Sequence, residues 1–339
     1  MGNSSTRGTL AAMLSVLDRP GPLIILPHDN PDPDALASAA VLKYFACTLL
    51  KKEARIVLGG IVGRAENRAM LTYLNITLVP VNEVSFDGDA QVALVDTQPG
   101  RSNNSLPEGV TPAVVIDHHP AYADYAGVPF LDLRDQYGAT STILTEYLRE
   151  SKLEIEGKIA TALFYGIAAE TQDLGREATP ADIDASHFLY PYANKRRLAK
   201  IENARVPREY FRVFREAIDR AVLFDRVVVS MLGEVRYPDM VAEVADFLLR
   251  LDQVEWAAAI GTFNGCLHCS VRTIDREVNA GDLLQRVLGS KSAGGHDQIA
   301  GGRIPVPEDP AARERIAATV RQRFLDAVGV QDGCGRPLV

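Results

Sequence analysis

Four short apolar runs punctuate the first part of the chain: Pro22-Leu23-Ile24-Ile25-Leu26, residues 54–58, Gln91-Val92-Ala93-Leu94-Val95 and Ala113-Val114-Val115-Ile116. They are rich in β-branched residues and continuously apolar rather than alternating. That is the pattern of strands buried on both faces of a parallel sheet. Apolar positions recur at helical spacing over 35–50, 64–74, 139–150 and 157–170. The alternation predicts an α/β fold with a doubly wound parallel sheet. Thr179-Pro180 reads as an N-cap followed by Pro at the first helical position, and that helix leads into polar, Pro-punctuated sequence at 191–209. A second, smaller α/β unit follows: strand 226–231, helix 240–251, hairpin 255–272 turning at Asn264-Gly265, helix 279–289, a glycine-rich stretch and a terminal helix 310–328. The expected division is a first domain over 1–190, a helical connection over 191–222 and a second domain over 223–339, with a catalytic cleft between the domains.

Three of the four strand runs end in residues with chemistry. The first is followed by His28-Asp29-Asn30-Pro31-Asp32-Pro33-Asp34, the third by Asp96-Thr97-Gln98-Pro99-Gly100 and the fourth by Asp117-His118-His119. In open α/β sheets, ligands bind beyond the carboxyl ends of the strands, so these groups are aimed at one crevice. The helical stretch 157–170 adds Glu170, with Asp173 three residues on. Carboxylates brought together in this way repel one another unless cations lie between them. Hard divalent ions take carboxylate oxygens, and Mn²⁺ takes imidazole as well. Two imidazoles and four carboxylates suit two dications sharing a bridging carboxylate, a device for phosphoryl transfer and hydrolysis. Taken singly, an Asp at a strand end is more often a turn or cap residue. Pro31 and Pro33 could mark only a rigid turn, with Asp34 capping a helix from Ala35 to about Leu50.

At these positions the chain resembles the DHH phosphoesterase superfamily. The matching residues are His28-x-x-x-Asp32-x-Asp34, Asp96, Asp117-His118-His119, the region of Glu170, and Gly294-Gly295-His296-Asp297-Gln298-Ile299-Ala300-Gly301-Gly302 near the other end. The order of all five is specific where any one alone is weak. The resemblance is closest to the short two-domain members that hydrolyse very short oligonucleotides (nanoRNases), 3'-phosphorylated adenosine nucleotides or dinucleotides. It implies that His28, Asp32 and Asp96 hold one metal. Asp34, Asp96, His118 and residue 170 hold the other, with Asp96 bridging. His119 faces the substrate phosphate and Asp117 orients an imidazole. Ser270-Val271-Arg272 is similar to the family's Ser-x-Arg, and Arg272 with His296 would grip a terminal phosphate beside Gly294, Gly295, Gly301 and Gly302. The implied cofactor is a pair of Mn²⁺ ions, with Mg²⁺ or Co²⁺ as substitutes, and the implied nucleophile a metal-bridging hydroxide. The chain departs from the pattern at position 170, where the family has Asp and this sequence Glu. If the helix continues, Asp173 shares its face and is a candidate substitute ligand. Two other readings stand beside this one: a pyrophosphatase or polyphosphatase, which the glycine-rich C-terminal motif disfavours, and a non-catalytic nucleotide sensor.

Composition narrows the partner. The 339 residues, 47% hydrophobic, suffice for two sizeable cores, and the formal net charge is −8. An acidic chain disfavours long nucleic-acid tracts held on broad basic surfaces, so a short oligonucleotide or small nucleotide is the expected substrate. The basic cluster Lys195-Arg196-Arg197, with Lys200 nearby, reads as a solvated helix face, and Arg176 as a phosphate contact or a surface ion pair with equal weight. No apolar run reaches the length of a membrane helix, and the start, Met1 to Arg7, has no signal-peptide apolar region. Its loose myristoylation pattern reads as chance. The expectation is a cytoplasmic protein with no membrane partner, and a homodimer is left open. Cys47, Cys266, Cys269 and Cys334 suggest no disulfide framework. Cys266-Leu267-His268-Cys269 lacks a second ligand pair and reads as strand cysteines rather than a zinc site.

Overall fold

A computed structural model describes residues 8–175, 178–290, 292–295, 297–330 and 335–339. The expectations for Met1 to Arg7, Arg176, His296 and Cys334 therefore lie outside the described residues. The chain forms two compact units, Met1–Ala204 and Arg205–Val339.

The first unit runs α1 (Leu10–Leu17), β1 (Leu23–Leu26), α2 (Pro33–Leu49), β2 (Ala54–Leu58), α3 (Ala65–Leu74), β3 (Leu78–Pro80), β4 (Gln91–Val95), β5 (Val114–Asp117), β6 (Phe130–Leu133), α4 (Thr140–Ser151), α5 (Gly157–Glu170), α6 (Pro180–Leu189) and α7 (Lys195–Glu202). The six strands form one parallel sheet in the order β3-β2-β1-β4-β5-β6. The strand order reverses between β1 and β4, the switch point at which such sheets open a crevice. Register places Leu26 beside Leu94 and Val95 beside Ile116, so the residues that follow β1, β4 and β5 emerge side by side. Leu23, Ile25, Ala93, Val95, Val114 and Ile116 pack on the helices. Ile24, Leu26, Val92, Leu94 and Val115 are covered by segments of 81–90 and 106–131. Small residues let α2, α4 and α5 approach closely: a Cβ on Gly166 would lie 2.4 Å from Ser141 Oγ and 3.2 Å from Ala37 Cβ.

The expected strands and helices of this unit are present, together with three that the apolar pattern did not indicate: α1, β3 and β6. The β6 stretch Phe130-Leu131-Asp132-Leu133, followed by Arg134, carries charges that a strand buried in a parallel sheet does not ordinarily hold. In the structure Asp132 and Arg134 are both buried and neutralise each other through a two-pronged ion pair of 2.8 and 2.7 Å. That removes the objection to a buried strand.

The second unit runs α8 (Arg208–Asp219), β7 (Ala221–Phe224), β8 (Val227–Glu234), α9 (Asp239–Leu248), β9 (Trp256–Phe263), β10 (Cys266–Thr273), α10 (Ala280–Leu288), β11 (Ala293–Gly295), β12 (Ile299–Pro305), α11 (Pro310–Ala327) and β13 (Arg336–Pro337). Its seven strands lie in the order β11-β12-β10-β9-β8-β7-β13, antiparallel except at β8 and β9. α10 and α11 bury one face through Leu284, Val287, Val320 and Phe324. α9 buries part of the other through Met240, Val241 and Val244. The turn at Asn264-Gly265 has both residues at positive φ, 45° and 71°, the backbone of a tight hairpin. Cys269 is buried and Cys266 half-buried, and both are free thiols.

Candidate metal centre

The loop after β1 delivers His28 and Asp32. Asp32 caps α2, its carboxylate accepting from the Ala35 N–H at 3.0 Å. Pro33 occupies the first helical turn, where a missing N–H costs nothing. The cap of α2 is thus Asp32, not Asp34 as the sequence suggested. Two residues on, still in the first turn of α2, Asp34 points to a different helix: its two oxygens accept from the backbone N–H groups of Thr140 and Ser141, each at 2.7 Å. Those amides belong to the first turn of α4, whose positive end favours a carboxylate.

Asp96 follows β4 with φ at 58°, a left-handed conformation that glycine adopts freely, that Asn tolerates and that most other residues reach only with strain. Its N–H donates to Ile116 O at 2.9 Å, and its Oδ1 accepts from Thr140 Oγ1 at 2.9 Å. This places the buried carboxylate at the middle of the crevice. Asp96 Oδ2 lies 3.7 Å from His28 Nε2, which is itself 3.6 Å from Asp32 Oδ2. Asp96 Oδ1 lies 3.6 Å from His118 Nε2 and 3.9 Å from His119 Nδ1.

These separations are too long for hydrogen bonds. They match two ligand atoms on one ion with bonds of about 2.1 Å, which stand roughly 3 to 4 Å apart. Among the described residues, two groups of donor atoms, each within 4.8 Å of one another, emerge: His28, Asp32 and Asp96, and Asp96, His118 and His119. The mixed carboxylate–imidazole donor set fits a divalent cation.

His118 and His119 are each oriented from behind. Tyr137 O lies 3.1 Å from His118 Nδ1. A carbonyl only accepts, so Nδ1 carries the proton and Nε2 presents its lone pair towards Asp96. His119 Nδ1 is committed to Asp117 Oδ1 at 2.8 Å, and Asp117 is fixed in turn by the Gln98 amide at 2.7 Å. The buried Gln98 side chain also accepts from Tyr122 N and Tyr125 Oη, so it ties the loops after β4 and β5 together. Residues that sequence reasoning missed are Gln98, Tyr137, Thr140 and Ser141. For Thr140 and Ser141 the signal was the polar run Thr140-Ser141-Thr142 where a helix was expected to begin.

The electrostatics record the crowding of carboxylates. Burial, then the neighbouring Asp96 and Asp32, push Asp34 well above the usual carboxylate range. Burial and Asp32 also raise Asp96. Glu170, at the last residue of α5, is raised to about 7 by burial and then by the charges of Asp32 and Asp96. Burial opposes the charging of the imidazoles, yet Asp32 and Asp96 lift His28 to about 9, and Asp117 and Asp96 lift His119 to about 10. Asp117 falls to about 2 despite its burial, because His119 faces it. Asp34 and Glu170 thus lie within electrostatic reach of the two donor groups without belonging to either tight set. Asp173 does not share the face of Glu170. α5 ends at Glu170, and Gln172, Asp173 and Leu174 turn through positive φ values of 49°, 55° and 65°. Asp173 acts instead on Tyr165 and Glu202.

In the second unit Arg272 is buried on β10. It donates to Ser270 Oγ at 2.8 Å and Val271 O at 3.0 Å and is paired with Asp246 of α9. The glycine motif is the β11–β12 hairpin, with Gly294 opposite Gly301 and Gly301 opposite Ser270. Its glycines divide in two. A Cβ at Gly295 or Gly302 would collide with Ile299 O at 2.1 Å or Leu288 Cδ1 at 2.6 Å. At Gly294 and Gly301 it would meet nothing within 4 Å, leaving a strip of bare backbone.

Comparison with known proteins agrees with this division. Residues 22–167 match the DHH family N-terminal domain and residues 224–325 the DHHA1 domain. An uncharacterized protein of Methanocaldococcus jannaschii is 33% identical over 326 residues, which cover 93% of this chain and 66% of that protein. A probable manganese-dependent inorganic pyrophosphatase of Enterococcus faecalis is 29% identical over 168 residues, covering 49% of this chain and 54% of the relative. The chain thus spans about two thirds of the first relative and about half of the second. The crystal structure of an exopolyphosphatase-related protein from Bacteroides fragilis shares the fold, with a TM-score of 0.69 at 12% identity over 94% of this chain and 97% of that one. With both domain models matched in order and the histidine and aspartate positions drawn to one crevice, the chain belongs to the DHH phosphoesterase superfamily.

Proposed function

We propose that the chain is a metal-dependent phosphohydrolase that uses Mn²⁺ and cleaves short oligonucleotides or small nucleotides. The observation that carries this reading is Asp96, whose two oxygens face two separate donor groups, as a bridging ligand does. His28, Asp32 and Asp96 would hold one ion; Asp96 and His118 would hold the other, with Glu170 and Asp34 contributing charge beside it. Two dications at such a centre supply an acidified water and neutralise phosphoryl oxygens. The chain's own residues do the rest. Asp117 and Gln98 keep His119 aimed, so that its ring donates to a non-bridging phosphoryl oxygen or to the leaving group. Thr140 holds Asp96 through its hydroxyl, and Asp34 anchors the first turn of α4.

Mn²⁺ is supported by the imidazole content of the centre and by the manganese dependence named for the pyrophosphatase relatives. The preference for nucleotides over pyrophosphate rests on the second unit. The similarity to the pyrophosphatases covers half of the chain, whereas the DHHA1 match adds Arg272 and the open backbone at Gly294 and Gly301. In this reading that strip and Arg272 receive a phosphate.

The test offers purified protein with Mn²⁺ a dinucleotide, 3'-phosphoadenosine 5'-phosphate, cyclic di-AMP and pyrophosphate, with products separated by ion exchange. Hydrolysis of a nucleotide, abolished by chelation and restored by Mn²⁺, is expected. Turnover of pyrophosphate alone would replace this reading with the pyrophosphatase one. Undiminished activity in metal-stripped protein would end both.

A further inference from the structure

Tyr137 sits in the six-residue connection between β6 and α4, and its carbonyl sets the tautomer of His118. That carbonyl is not held by chance. The Tyr137 N–H donates to Arg134 O at 2.9 Å, and the Arg134 N–H donates to Asp117 O at 3.0 Å, so the connection hangs from the DHH strand itself. At the other end the Tyr137 hydroxyl donates to Glu146 Oε1 at 2.7 Å and accepts from Arg134 Nη1 at 3.3 Å. Arg134 is 1% exposed. It grips Asp132 with Nε and Nη2 and reaches Glu146 Oε2 with Nη1 at 2.5 Å. Tyr147 closes the cluster by donating to Asp132. Tyr137 is therefore clamped at backbone and side chain, and the atom between the two clamps is the one His118 meets.

A buried ion cluster adds little stability over apolar residues of the same size, because desolvation offsets the attraction. What it supplies is a fixed geometry. The residues that follow use the same rigidity: Gly138 N–H donates to Asp182 at 2.9 Å, Thr140 holds Asp96, and Thr140 and Ser141 N–H hold Asp34. One short stretch thus fixes three residues of the centre.

We infer that Arg134, Glu146 and Tyr137 form a positioning device that presents the His118 Nε2 lone pair to a cation at the Asp96 centre. The inference rests on the reading of that centre as a metal site. None of the three residues is a ligand in it; they act through the Tyr137 carbonyl.

The informative variant is Tyr137→Phe, which removes the hydroxyl anchor and keeps the ring. In metal-free ¹⁵N-labelled protein, wild type is expected to show His118 as a single tautomer protonated at Nδ1, and Tyr137→Phe a mixture. Mn²⁺ titration, with free ion followed by electron paramagnetic resonance, is expected to show one site weakened about 10- to 100-fold, the range typical of lost outer partners, and the other unchanged. Ile143→Val, a buried change elsewhere in α4, controls for stability: it lowers the melting temperature and leaves tautomer and both affinities as in wild type. Wild-type tautomer and affinities in Tyr137→Phe, or the same losses in Ile143→Val, would overturn the device. His118→Ala separates the two levels of argument. If it loses one Mn²⁺ site while Tyr137→Phe keeps both, only the positioning role fails; if it keeps both sites, the metal reading fails with it.

Discussion

His28 and His118 flank the same carboxylate at 3.7 and 3.6 Å, yet they are held in different ways. His118 is fixed at its far nitrogen by a backbone carbonyl, and beside it His119 is fixed by Asp117. Among the described residues His28 has no such acceptor; it is faced by Asp32 and Asp96, the carboxylates it would share with an ion. His118 is therefore set by a hydrogen bond to a neutral carbonyl, which exists without a cation. The β1 side is set by charge, and charge responds to pH, salt and ion occupancy.

The strongest challenge is to remove what both sides share. Asp96→Asn keeps the shape and tolerates the left-handed backbone but halves the bridging capacity. Losing ~4 kcal/mol of charge stabilisation corresponds to a fall in kcat of about 10³, with both ions bound weakly. Near-normal Mn²⁺ content together with near-normal kcat in this variant would show that Asp96 bridges nothing.

Next in size is the flank occupied by Glu170. Glu170→Ala is expected to reduce occupancy of one ion and lower kcat by about 10- to 100-fold, as loss of a supporting charge at a metal site does. Asp173→Ala should leave both unchanged, since that residue lies beyond the end of α5. Counting ions by native mass spectrometry decides the matter, and loss of an ion in Asp173→Ala alone would reverse the assignment.

The smallest effect tests the contrast directly, in metal-free protein. The His28 pKa is raised to about 9. Its contribution to stability is therefore fully present below about pH 6.5, the unperturbed value, and is lost as pH rises through the folded value. His28→Ala should lower the melting temperature by a few degrees near pH 6 and hardly at all near pH 10. His118→Ala removes a hydrogen bond worth about 1 kcal/mol and should cost a few degrees near pH 10, where His28→Ala costs hardly any. Parallel pH profiles for the two variants would erase the distinction between the two sides.

Much of this architecture could be read without coordinates, because buried parallel strands are continuous apolar runs and their carboxyl ends advertise polar residues. His28, Asp32, Asp96, Asp117, His118 and His119 stood out for that reason. What stayed hidden was whatever depended on a partner distant in sequence. Asp132 and Arg134 disguise β6 because each alone contradicts a buried strand, and only together do they permit one. Asp34 was read against its own helix, whereas the amides it meets lie 106 and 107 residues away. Tyr137 acts through its carbonyl, which every residue possesses and no sequence pattern marks. The position of Asp173 turned on where α5 stops, and three consecutive left-handed residues without glycine are not a stop signal that composition reveals.

The left-handed backbone at Asp96 has an evolutionary corollary. Glycine at this position would relieve the strain, and asparagine would ease both the strain and the burial of a charge. Selection for thermal stability alone, in a laboratory library or a lineage that no longer needs the activity, would drive this codon away from Asp. Asp96 is thus a sentinel: in a collection of diverged copies, its replacement by Gly or Asn would mark the chains that have traded catalysis for a more durable fold.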